Sequence, residues 1–154
     1  MVQLLKNPIV AGTLCLNLFL GLLCLYLFPF GCSFSLALLF MYLCYAPVAF
    51  FSILWGFSRI RAQSGSIGVI GITLFTTAII LFFGALSFVG SGLAIESLSA
   101  RGAWLPWHEF VMTSLGAAVF GFLFGGFFSL PFIFINAIAF FRYRERLRVF
   151  QVTA

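Results

Sequence analysis

Aspartate is absent from this 154-residue chain, and acid of any kind is scarce: Glu96, Glu109 and Glu145 are its three carboxylate side chains. Histidine occurs once, as His108. These shortages exclude a Ser/His/Asp triad. No phosphate-binding loop, haem-ligating histidine pair or iron–sulfur cysteine spacing is present either. The four cysteines (Cys15, Cys24, Cys32 and Cys44) include no C-x-x-C, which argues against a thiol-exchange enzyme. Three of them lie in apolar segments, where they read as small packing residues. No catalytic, cofactor-binding or metal-ligating residue is assigned, and no cofactor is expected.

The scarcity of charge is the most informative shortage. Charged residues make up 7% of the chain and hydrophobic ones 64%, with 23 phenylalanines, whereas a soluble domain carries roughly a quarter charged residues. Such a chain cannot cover its own surface with polar groups, so its solvent must be largely lipid. A net charge of +5 would suit a nucleic acid, but no soluble basic domain exists to hold it, so no nucleic-acid partner is expected. The basic residues sit at the ends of apolar runs, where they set topology and meet anionic headgroups.

Four apolar segments follow one another. The first covers about 8–28 and opens on Asn7-Pro8, with proline suited to a first helical turn. A cleaved signal peptide is disfavoured, because the apolar run is longer than a usual signal core and no A-x-A site follows it. Leu14 and Leu23 precede Cys15 and Cys24, which disfavours a lipoprotein anchor. Pro29, Gly31 and Ser33 mark a short turn, and a second helix is expected over 34–57 with Pro47 inside it, bending it. A third is expected over 66–89, then an outer loop over 90–106. The fourth opens near Pro106, with Glu109 in its first turn, and covers about 107–141. At about 35 residues it would run roughly 52 Å at 1.5 Å per residue, more than a hydrocarbon core of about 30 Å. A basic tail, 142–154, continues it.

Side assignment follows from the basic residues. Lys6, Arg59, Arg61, Arg142, Arg144, Arg146 and Arg148 fall on one side and Arg101 on the other, a positive-inside pattern that puts both termini in the cytoplasm. The expected fold is therefore all-α: a polytopic four-transmembrane-helix bundle forming a single domain over 1–154. If bacterial, it belongs in the cytoplasmic (inner) membrane.

Within the fourth helix, Thr113, Ala117, Gly121, Gly125 and Ser129 recur every four residues and include G-x-x-x-G. Small residues at this spacing let helix backbones approach closely in lipid, where packing rather than hydrophobicity drives association. The partner is either another helix of the same chain or another subunit. This overlong helix is the expected structural spine. The spans hold Asn17 and Asn136 but no ionisable side chain. That disfavours proton relays and driven pumps, and interhelical hydrogen bonding is the expected role of both asparagines.

Two further groups complete the candidates. Glu96, Arg101, Trp104, Trp107, His108 and Glu109 cluster around the outer loop. One histidine with carboxylates at no characteristic spacing is weak as a metal or acid/base set, so this region reads as an interfacial segment and an outer contact surface. Arg142, Arg144, Arg146 and Arg148 surround an apolar face of the tail, suited to lipid headgroups or to a docking partner. The sequence points to a non-catalytic integral-membrane subunit of a larger complex, acting through helix packing and lipid contact, with other membrane subunits and the bilayer as partners. A homo-oligomeric channel or passive facilitator is the alternative, and a lipid-acting membrane enzyme comes third.

Overall fold

A computed structural model describes residues 2–27, 36–101, 106–124 and 126–153, and every regular element among them is helical. After a four-residue turn of helix, α1 (Val2–Leu5), come α2 (Pro8–Leu27), α3 (Leu36–Arg59), α4 (Ser66–Arg101), α5 (Trp107–Phe124) and α6 (Gly126–Thr153). The asparagine before Pro8 caps α2: Asn7 Oδ1 accepts from the Ile9 amide at 3.0 Å and the Asn7 carbonyl accepts from Ala11. This satisfies donors that a helix start otherwise leaves open. At the start of α5, the Pro106 carbonyl accepts from the Phe110 amide, so this helix begins where the proline and Glu109 indicate. The tail is helical to Thr153, in continuation of α6.

One expectation is corrected outright. The stretch assigned to an outer loop, 90–106, is helical as far as Arg101, so that Glu96 and Arg101 belong to α4 rather than to a loop. Its glycines and serines cost helix propensity, yet Leu93, Ala94 and Ile95 are followed by a glutamate and a leucine that favour a helix. At 36 residues, α4 is the longest helix and extends roughly 54 Å. Its segment Ser66–Ser87 is long and apolar enough to cross a membrane, and α2 contributes a shorter apolar stretch, Pro8–Cys24.

The helices α2, α3, α4 and α6 pack in a ring: α2 touches α3 and α6, and α4 touches α3 and α6 and also carries α5 on its flank. The hub is thus α4, and not the fourth apolar segment as its length and small residues suggest. The buried apolar cluster is formed by Val10 and Leu14 of α2; Ala49, Ile53 and Phe57 of α3; Val69 and Ile80 of α4; and Phe132, Ala139 and Phe140 of α6. The Phe57 ring meets Phe140 edge-on at 4.7 Å and Tyr143 at 5.0 Å, an arrangement favoured by ring quadrupoles. Burial pushes the Tyr143 phenol above its ordinary value. The outward faces are apolar too: Phe19, Leu43, Phe51, Phe75 and Phe134 are all exposed.

Candidate functional site

The interior of the ring is where the chain places its polar side chains. Asn17 on α2 and Asn136 on α6 are fully buried, and Asn17 Nδ2 donates to Asn136 Oδ1 at 2.9 Å. The second Asn17 amide hydrogen goes to the Thr13 carbonyl at 2.9 Å. Asn136 Nδ2 donates in turn to Thr77 Oγ1 on α4 at 3.0 Å. Both amide orientations follow from this chain, since reversing Asn17 would set oxygen against two oxygens. Three helices distant in sequence are therefore joined by one row of side-chain bonds, the interhelical role expected of the two asparagines. Nearby hydroxyls turn back on their own helices: Thr13 donates to the Ile9 carbonyl at 2.6 Å and Thr73 to the Val69 carbonyl at 2.8 Å. Asn17 Oδ1 and Thr76 Oγ1 are buried without a partner among the described residues.

Tyr45 on α3 completes the row. Its hydroxyl donates to the Asn17 carbonyl at 3.1 Å, and its ring lies in a slot between two glycines. A Cβ at position 21 would fall 2.7 Å from the phenol oxygen, and one at position 84 would fall 3.2 Å from the ring. Only glycine lets α2 come so near to the ring, and Gly84 admits it from α4. Replacing Tyr45 by phenylalanine should lower stability by about 0.5–1.5 kcal/mol with the same packing. Equilibrium unfolding in mixed detergent micelles would read this as a shifted midpoint at constant slope.

The second polar constellation lies at the basic end. Arg144 is 7% exposed; its Nη1 donates to the Ser64 carbonyl at 3.5 Å and to the Ser66 hydroxyl at 3.3 Å. Arg148 Nε donates to the Ala62 carbonyl at 2.8 Å. The tail helix is thus tied back onto the α3–α4 connection. That connection is itself ordered by the Arg61 amide donating to Ser64 Oγ and by the Ser64 amide donating to the Arg61 carbonyl. Arg142 and Arg146 are exposed. The four tail arginines therefore divide into two that point outward and two that bind the chain to itself, a division that their common basic character conceals.

The other candidate residues are described only in part. In the small-residue ladder, Thr113 is exposed and Ser129 half-buried; Ala117 and Gly121 lie in α5 with side-chain surroundings outside the description, and Gly125 lies outside the described residues. The buried residue at the start of α5 is Ser114, which faces Gly90 of α4 together with Phe110.

At the start of α5, His108 and Glu109 are both exposed, with Nε2 and Oε1 3.9 Å apart, and Trp107 stacks on Phe110 while itself exposed. Trp104 lies outside the described residues. Among the described residues no three His, Cys, Asp or Glu side chains are grouped to hold a metal ion. Cys15, Cys24 and Cys44 are free thiols, and Cys32 lies outside the described residues.

The residues that sequence reasoning missed are Tyr45, Thr77, Gly21 and Gly84. The signal was present only in part. Gly21 and Gly84 each sit singly in an apolar run, and nothing in spacing pairs either with a tyrosine on another helix. Compared with known protein families, characterised proteins and solved structures, the chain matches none.

Proposed function

We propose that this chain is a non-catalytic integral-membrane subunit of a larger membrane protein complex, crossing the bilayer four times with both termini in the cytoplasm. The observation that carries the reading is the apolar exterior of the helix ring around a core that also holds amides and hydroxyls. Asn17, Asn136, Thr73, Thr76 and Thr77 are buried beside the apolar core while Phe19, Leu43, Phe51 and Phe134 face outward. Large apolar side chains gathered on the surface and polar groups buried among apolar ones are both unusual for a protein in water, and lipid or neighbouring apolar helices are the surroundings that suit them. The inward polar groups are engaged mainly with each other and with their own helices, which suits a structural role. The apolar exterior is left for lateral contact with other subunits and lipid. Besides Ser66–Ser87, the remaining spans are assigned to α2, to α3, and to α5 with α6. Their ends carry the basic residues that favour one side of the bilayer.

Extraction of the native protein in mild detergent tests the proposal. The expected result is migration with fixed membrane partners in constant stoichiometry. A monodisperse particle containing this chain alone would count against it. Solute flux through the purified protein in liposomes would favour an oligomeric channel or facilitator in its place, and an activity on lipid abolished by replacing His108 and Glu109 would favour an enzyme.

A further inference from the structure

Arg144 is a buried cation with no counter-charge. Among the described residues no carboxylate lies within ion-pair distance of it, and Glu145, its neighbour in sequence, is exposed. Its two hydrogen bonds are longer than the usual N–H···O range, its Nε is buried without an acceptor among the described residues, and the Phe141 ring lies 4.9 Å from the guanidinium carbon. The residue it reaches, Ser66, is the first of α4. A helix of that length carries a partial positive charge at this end, so the guanidinium meets a like potential.

Val69 donates to the Gly65 carbonyl, but the amides of Ser66, Ile67 and Gly68 have no backbone acceptor, as in the first turn of any helix. The surface over this turn is open. Gly65, Ser66, Ile67 and Gly68 are exposed, and a Cβ built on either glycine meets nothing within 4 Å. Arg148, exposed and tethered to Ala62, brings a second guanidinium to the same connection.

We propose that Arg144 and the first turn of α4, flanked by Ser66 and Arg148, form a binding site for a single phosphate group. A phosphate seated there supplies the counter-charge that Arg144 lacks. It also accepts from the open amides of α4 and replaces two long contacts with charge-assisted bonds. The source is either a lipid headgroup, which rests on the membrane reading, or a soluble phosphate compound. The site is distinct from diffuse attraction of Arg142 and Arg146 to an anionic leaflet, because it depends on one buried side chain and one helix terminus.

The test uses the full chain, purified without partners, so that its outcome is independent of whether a complex exists. In phosphatidylcholine nanodiscs, thermal unfolding is followed with and without inorganic phosphate; in a second set, phosphatidic acid is included and its retention is measured by native mass spectrometry. Protection by inorganic phosphate identifies a soluble source, and retention of one phosphatidic acid per chain identifies a headgroup. Arg144→Gln should weaken binding by about tenfold or more, while Arg146→Gln leaves it unchanged. Ser66→Asp keeps Arg144 and places a carboxylate at the helix end, so it should abolish phosphate binding without lowering the unfolding temperature; it decides the matter if Arg144→Gln does not fold. The proposal is overturned if neither phosphate source binds the wild type, if Arg144→Gln and Arg146→Gln lose binding equally, or if Ser66→Asp binds phosphate like the wild type.

Discussion

Gly56→Leu should destabilise the protein by about 3 kcal/mol, the upper part of the range for overpacking a well-filled core. A Cβ at position 56 would lie 2.6 Å from Phe140 Cζ and 2.8 Å from Thr76 Oγ1. Neither neighbour has room to retreat. The Phe140 ring is fully buried and held edge-on by Phe57, and Thr76 is fully buried on α4. Position 56 is therefore the point at which α3 admits side chains of both α4 and α6. Alanine there should come out milder, because the gain in helix propensity of about 1 kcal/mol offsets part of the clash.

The control is Gly71→Ala, also in a helix, where an added Cβ meets nothing within 4 Å; it should be neutral or slightly stabilising. Unfolding titrations in mixed micelles would separate the two sites. Combining Gly56→Leu with Phe140→Leu should cost clearly less than the sum of the two changes, since the second relieves the collision made by the first. Additive costs would mean that position 56 does not meet Phe140.

The contrast between these two glycines marks the limit of what one dimension of pattern can carry. Features set by neighbours along the chain were legible: the start of α2 at Pro8, the start of α5 at Pro106 and the helical tail all follow from local chemistry. The Asn17–Asn136 contact was legible in kind, because an amide within an apolar run has few other ways to find a partner. Its partner helix was not. Gly56 and Gly71 look alike in sequence, and only the crossing of α3 with α4 and α6 tells them apart.

The same holds for the tail, where Arg142, Arg144, Arg146 and Arg148 alternate with other residues in a uniform basic stretch. At about 100° per residue, successive arginines are turned by about 200°, so they cannot share a face. Arg144 is turned toward Ser66, while Arg142 and Arg146 are left outside. Helix length in α4 was misjudged for a different reason. Polar residues past Val89 read as the end of a helix when they mark only the end of its apolar part. A membrane helix that continues beyond the hydrocarbon keeps its backbone bonds and changes its side chains.

The buried amide row predicts an asymmetry that a generic packing role does not. Asn136→Leu removes the acceptor of Asn17 Nδ2 and the donor to Thr77 Oγ1, two interhelical bonds at once, and leaves Asn17 with an oxygen that is already unpartnered. On the proposed membrane placement such bonds contribute roughly 0.6–1.7 kcal/mol each, so the loss should be about 1–3 kcal/mol. Asn17→Leu also breaks the contact with Asn136, but it deletes the unpartnered oxygen. It leaves Asn136 Oδ1 without its donor, but its other bond is to the Thr13 carbonyl of the same helix, so with one interhelical bond lost it should cost about 1 kcal/mol, less than Asn136→Leu. The Tyr45 hydroxyl is unaffected in either case, because it donates to the backbone of Asn17. The double replacement should lie near Asn136→Leu alone rather than at the sum, giving a coupling energy of about 0.5 kcal/mol or more. Equal single costs that add in the double variant would show that the two amides act independently, and that the row does not join α2 to α6.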